Sequence, residues 1–256
     1  MALLKIEKVT KQFGGLTAVN ELDLELREGE ILGLVGPNGA GKTTVFNLIS
    51  GVYSPNSGVI LFRGKNIAGL KPHKIAVQGL SRTFQISTLY SNCSVLENLI
   101  IGRHSQMKTG LWSILWRTKV FRKEETEVEQ QSLKLLEFLS LTEYKDISAK
   151  NLPHGHQQRL AIGVALSTEP GLLLLDEPFA GMDTVETEEM MSLVGRIRER
   201  ETSILLIEHD MKAVMGLCDH IVVIDYGRKL AEGTPRDIQE NKDVIEAYLG
   251  KKNDFT

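Results

Sequence analysis

"ILGLVGPNGAGKTTVFNLISG", residues 31 to 51, decides how this chain folds. The short apolar run at its start, broken by glycine, reads as a buried strand, and "KTTVFNLISG" reads as a helix closed by Gly51. Between them Gly36, Gly41, Lys42 and Thr43 fill the pattern G-x-x-x-x-G-K-[ST]. Glycines let a loop curl until its backbone N–H groups face one point, and a helix N-terminus adds a field that favours an anion. A strand before and a helix after separate such a phosphate cradle from an ordinary glycine-rich turn. Gly36, Pro37, Asn38, Gly39, Ala40, Gly41, Lys42, Thr43 and Thr44 are therefore expected to wrap the phosphates of a nucleoside triphosphate. Lys42 reaches the β- and γ-phosphates in that arrangement, and the Thr43 hydroxyl suits Mg²⁺.

A second strand carries the acids that such a cradle needs. "LLLLDEP" is a continuous apolar run ending in Asp176 and Glu177, and ligands of open α/β sheets gather at the carboxyl ends of strands. Asp176 is expected to hold Mg²⁺ through water, and Glu177 to orient or deprotonate the attacking water. The next apolar run, "SILLIEHD", ends in His209, whose imidazole suits contact with the γ-phosphate and that water. His73, His104 and His220 read as structural residues, and His154-x-His156 lacks neighbouring cysteine or carboxylate ligands for a metal.

The rest of the chain alternates β and α. "LLKIEKV" and "NELDLELREGE" add strands near the start, "VETEEMMSLVGRIRERE" and "MKAVMGLC" read as helices, and "HIVVIDYGRKLAEG" reads as a hairpin turning at Tyr226 and Gly227. From about Ser94 to Thr168 the pattern is mostly helical, so an α/β core with a helical insertion is expected, without internal repeats.

Length and composition bound the alternatives. The 256 residues suffice for an unaided core, and 42% hydrophobic with 25% charged residues is ordinary for a globular protein. A formal net charge of −3 provides no basic field for nucleic acid. Cys93 and Cys218 are too few for a disulfide framework and suit a reducing compartment as structural thiols. "MALLKIEKVTKQF" lacks the features of a signal peptide, and no run approaches the roughly 18 apolar residues of a membrane span. A cytoplasmic chain is expected, with any membrane role exercised through partners.

Together these residues resemble the ATP-binding cassette (ABC) family over nearly the whole chain. The resemblance implies a P-loop NTPase core with a mixed sheet, an antiparallel β subdomain and a helical subdomain insertion. The cassette is then a single domain over 1–256, with the core in 1–85 and 169–256 and the helical subdomain at about 86–168. "GPNGAGKT" is its Walker A loop and "LLLLDE" its Walker B strand. Gln85 in "SRTFQIS" matches the glutamine that joins the core to the helical subdomain and senses Mg²⁺ and water. "AGMD", ending in Asp183, matches the loop that crosses to a partner cassette, and His209 matches the switch histidine. Phe13 sits where the family places an aromatic that stacks on adenine.

The family's signature, usually Leu-Ser-Gly-Gly-Gln, here reads Leu152, Pro153, His154, Gly155, His156. In the family two cassettes pair head to tail, and each signature faces the other's ATP. Pro153 lacks both the hydroxyl and an N–H, although proline suits a helix's first turn. Gly155 keeps one N–H, and His154 or His156 is available as a substitute donor. An intact cradle beside an altered signature favours an asymmetric heterodimer with a second ABC ATPase subunit, a homodimer being the alternative.

"FGGLTAVN", "RTFQ", the insert "QMKTGLWSILWRTKVFRKEE" and the closing "DVIEAYLG" are most similar to the ATPase subunits of branched-chain amino acid importers. Such systems pair two ATPase subunits with transmembrane permease subunits and an external solute-binding protein, which places the chain on the inner face of the membrane. Urea and short-amide importers share much of the pattern. A soluble ABC ATPase acting on nucleic acid is the reading from another class; it usually carries two cassettes or a long coiled insertion. Trp112 and Trp116, among basic residues, suit either a membrane or permease contact or the packing of the helical subdomain.

Overall fold

The computed structural model describes residues 2–83, 89–104 and 119–249, those at 104, 119–122 and 249 without their side chains. Contacts divide the chain into two compact units. One comprises Met1–Arg82, Gly171–Ala180 and Thr187–Thr256, the other Thr83–Pro170 and Gly181–Glu186.

The first unit contains two sheets. Strands β1 (Ala2–Phe13), β2 (Leu16–Arg27), β4 (Ser57–Phe62) and β5 (Lys65–Asn66) form an antiparallel sheet in the order β2-β1-β4-β5. Along β2 the buried Leu22, Leu24 and Leu26 alternate with exposed Glu21, Asp23 and Glu25, as a strand with one wet face requires.

The second sheet is built from β3 (Ile31–Val35), β6 (Leu80–Arg82), β7 (Leu172–Asp176), β8 (Ser203–Ile207), β9 (His220–Asp225) and β10 (Arg228–Gly233). Its order is β10-β9-β3-β8-β7-β6, parallel except for the last hairpin, where β10 runs antiparallel to β9. Every residue of β3 and β8 is buried, which is why these strands read as unbroken apolar runs. Leu34 and Asp176 both pair with Ile207, so β3, β7 and β8 end at one level and release their following residues along one edge. The hairpin turns at Tyr226 and Gly227 with φ of 45° and 76°, the geometry of a two-residue type I′ loop.

Helix α1 (Lys42–Ile49) buries Val45, Phe46, Leu48 and Ile49 and stops before Gly51, whose φ is 76°. Further helices of this unit are α2 (Pro72–Ala76), residues 187–199 of α6 (Thr184–Glu199), α7 (Met211–Leu217), α8 (Pro235–Glu240) and α9 (Lys242–Leu249). Cys218 follows α7 and is buried, and burial beside Asp219 pushes its thiol up to about 12, the signature of a structural rather than reactive cysteine.

The second unit is helical. Among its described residues α3 (Val95–His104), α4 (Lys119–Phe138) and α5 (His154–Leu166) bury Leu99, Leu136, Leu160 and Ile162. Asn98, fully buried, accepts the Tyr90 N–H at 2.9 Å and donates to the carbonyls of Tyr90 and Ser94. Those bonds satisfy a polar side chain that would otherwise be costly in the interior. Among the described residues no helix is long and apolar enough to cross a membrane.

Candidate active site

The phosphate loop joins β3 to α1 and is shaped by close backbone approaches. A Cβ on Gly36 would stand 2.1 Å from the Ile224 carbonyl oxygen, and one on Gly41 2.5 Å from that of Ala18. Gly41 also takes φ 107° at the N-cap of α1, a region that side chains avoid. The hairpin turn supports the loop, because the Gly227 N–H donates to the Ala40 carbonyl at 2.9 Å. Lys42 is buried, and its ammonium donates to the carbonyls of Gly36 at 2.6 Å and Pro37 at 3.1 Å. The charge is thus drawn back inside the loop. Thr43 and Thr44 follow in the first turn of α1.

At the strand edge, Asp176 accepts a hydrogen bond from Arg82 at 2.8 Å. Glu177 leaves the strand with φ 49°, a left-handed conformation that costs about 1–2 kcal/mol in a residue with a side chain. This breaks the strand's alternation and leaves the carboxylate 48% exposed. Its backbone N–H still donates to the Ile207 carbonyl at 2.9 Å. Oε1 of Glu177 lies 3.9 Å from Nδ1 of His209, which is 63% exposed.

Glu208, which the sequence reading passed over, organises this edge. It is 1% exposed and its carboxylate accepts three backbone N–H groups: Phe179 at 3.0 Å, His209 at 2.9 Å and Asp210 at 3.2 Å. The turn after β7 and the turn after β8 are therefore tied to one buried anion. An acid directly before a histidine in "IEHD" was the available signal, but it reads equally as a polar strand end.

Phe13, at the end of β1, is 41% exposed. Its ring meets Tyr53 edge-on at 5.1 Å between centroids, and the Lys11 ammonium lies 4.9 Å from the Phe13 centroid. An aromatic face with a cation beside it suits a flat, electron-rich base.

Gly155 and Asp183 belong to the helical unit. Pro153 is the N-cap of α5, so the helix starts at His154 despite the missing hydroxyl. Gly155 is buried, and a Cβ there would stand 3.0 Å from Oε1 of Glu186. Asp183 Oδ1 accepts the Glu186 N–H at 2.9 Å, while Glu186 Oε2 accepts the Asp183 N–H at 3.2 Å, a reciprocal capping pair at the start of α6. His156 packs edge-on against Tyr144 at 4.6 Å. Gln85 and the insert with Trp112 and Trp116 lie outside the described residues.

Among the described residues there is no group of three or more His, Cys, Asp or Glu able to hold a metal. The donors present, one threonine hydroxyl and one carboxylate, fit an ion that arrives with a nucleotide and keeps waters and phosphate oxygens as its other ligands.

The sequence matches the family model described as ABC transporter over residues 19–180, and that described as branched-chain amino acid ATP-binding cassette transporter over 228–252. The chain is 47% identical to the high-affinity branched-chain amino acid transport ATP-binding protein LivG of Salmonella typhimurium, over 97% of this chain and 98% of that one. It is 44% identical to BraF of Pseudomonas aeruginosa, which bears the same description, over the same shares. A crystal structure of the ADP conformation of an ATP-binding cassette of an ABC transporter superposes with a TM-score of 0.86, at 31% identity and covering 98% of this chain and 99% of that one. A nucleotide-free cassette superposes with a TM-score of 0.85, at 32% identity over 97% and 99%.

Proposed function

The chain belongs to the ABC transporter family, and on that premise we propose that it is the ATP-hydrolysing subunit of an importer for branched-chain amino acids. The observation that carries the reading is the strand edge, where Glu177 and His209 face each other over a shared buried anchor beside a complete phosphate cradle.

The chemistry follows from that edge. The loop N–H groups and Lys42 bind the phosphates; Thr43 and Asp176 would hold the Mg²⁺ that accompanies ATP, and bound there it would neutralise charge on the phosphates. Gln85 completes the sensing of metal and water. Glu177 orients a water whose oxygen attacks the γ-phosphorus as the bond to the β–γ bridging oxygen breaks. ADP leaves with that electron pair, Glu177 takes the water's proton, and His209 steadies the γ-phosphate. Phe13 stacks on the adenine.

The single cassette works as half of a dimer, with Gly155 and Asp183 directed to a partner's nucleotide. Pro153 provides neither hydroxyl nor N–H, and loss of one such donor costs on the order of 10²–10³ in rate. The working form is therefore a heterodimer in which a second ATPase subunit offers an intact signature to this cradle. Permease subunits hold the pair on the cytoplasmic face of the membrane, and a solute-binding protein delivers the amino acid.

ATP hydrolysis by the purified chain over a range of concentrations, with Glu177→Gln as control, tests the reading. Weak hydrolysis that rises sharply when a second ATPase subunit is added, and disappears in the control, is the expected result. Reconstitution with permease subunits and leucine, isoleucine or valine then tests the cargo, and uptake of urea instead would overturn it.

A further inference from the structure

Arg82, the last residue of β6, does something no cradle motif requires. Its Nη2 lies 2.8 Å from Oδ2 of Asp176, and its Nη1 donates to Asn47 Oδ1 at 2.6 Å and to Ser50 Oγ at 3.3 Å. Asn47 lies on α1 and Ser50 caps its C-terminus, so one guanidinium ties the helix that begins with Lys42 and Thr43 to the carboxylate that ends β7. The guanidinium carbon lies 5.5 Å from the Phe46 ring centroid. The pair is largely withdrawn from water, at 10% and 22% side-chain exposure. The Ser50 hydroxyl donates to the Phe46 carbonyl at 2.7 Å, which leaves its oxygen to accept from Arg82.

We propose that Arg82 is a resident counter-cation for Asp176, one that keeps free divalent cations off this carboxylate so that the metal enters only with nucleotide. The inference rests on the reading of Asp176 as the carboxylate that faces Mg²⁺. A fixed positive charge in contact with the carboxylate both neutralises it and repels a second cation, and partial burial weakens the screening that would hide this effect in water. A bare divalent ion gains little there, because it must shed tightly held water for a ligand already paired. A metal carried by triphosphate brings its own anionic ligands, and their charge offsets the guanidinium. The contacts to Asn47 and Ser50 keep the guanidinium in place, so the carboxylate is not left as an unpaired, half-buried charge between turnovers.

Mn²⁺ binding to the nucleotide-free chain, followed by electron paramagnetic resonance, separates this role from simple support of Asp176. The native chain is expected to bind Mn²⁺ weakly. Arg82→Gln is expected to tighten binding about tenfold, and adding Asp176→Asn to that variant is expected to abolish the gain. Arg82→Lys retains the charge but not the planar fork and is expected to gain less than about threefold, and Arg82→Met, with the same tenfold gain expected, serves should Arg82→Gln not fold. Unchanged or weaker Mn²⁺ binding in Arg82→Gln, a gain that survives Asp176→Asn, or a tenfold gain in Arg82→Lys would each overturn the proposal. Glu177-dependent hydrolysis of Mg-ATP by the native chain tests the underlying reading separately, and does not depend on any Mn²⁺ result.

Discussion

Nδ1 of His209 lies 3.9 Å from Oε1 of Glu177, and a third residue sets that separation. Glu208, buried beneath both turns, accepts the N–H of His209 and that of Phe179, two residues beyond Glu177. It adds to the bond from the Glu177 N–H to the Ile207 carbonyl, which also joins the two strand ends.

Glu208→Ala strips three backbone N–H groups of their acceptor. It is expected to cost about 2–3 kcal/mol in urea unfolding and to lower kcat about 10²-fold through displacement of the two side chains. Glu208→Gln keeps one acceptor oxygen and should fall between the two. Loss of stability with unchanged kcat would show that the anchor holds the fold but does not set the catalytic geometry.

Glu177 combines an exposed carboxylate with a left-handed backbone. Glu177→Gln is expected to reduce hydrolysis by about 10²–10⁴-fold while nucleotide binding stays within a few-fold. Glu177→Gly should be equally inactive, yet unfold at a urea concentration no lower than native, because glycine takes φ 49° without strain. A clear drop in that midpoint would mean that the side chain, and not only the turn, is needed for stability.

The glycines of the phosphate loop should differ sharply. At Gly36 a methyl group would meet the Ile224 carbonyl, whereas at Gly39, with φ 81°, nothing lies within 4 Å. Gly39→Ala is expected to cost about 1 kcal/mol from backbone conformation alone. Gly36→Ala, which must push backbone aside, should cost at least about 3 kcal/mol. Equal melting temperatures for the two variants would contradict the close approach.

Phe13→Ala removes an exposed ring that packs edge-on against Tyr53. The expected outcome is a KM for ATP raised about fivefold with little change in kcat, as for a contact made equally in ground and transition states. A fall in kcat at constant KM would place Phe13 elsewhere in the cycle.

Much of this molecule is legible in one dimension. The cradle is continuous in the chain, and its strand, glycines and lysine are all local requirements of an anion-binding helix start. The buried strands β3, β7 and β8 announce themselves as apolar runs, and the glycine after Tyr226 marks the last hairpin. Asp176, Glu177 and His209 were readable for the same reason, since each ends such a run.

What the sequence alone determined, then, is each segment with its own chemistry: the phosphate loop, the strand-end acids, and the proline that breaks the signature. Tertiary structure decided which of these residues hold each other. Arg82 and Asp176 are 94 residues apart, Phe179 and Glu208 are 29 apart, and Gly36 owes its identity to a carbonyl in β9. Strand order and register bring such partners together, and these are set by how buried surfaces pack, which no local stretch of sequence encodes.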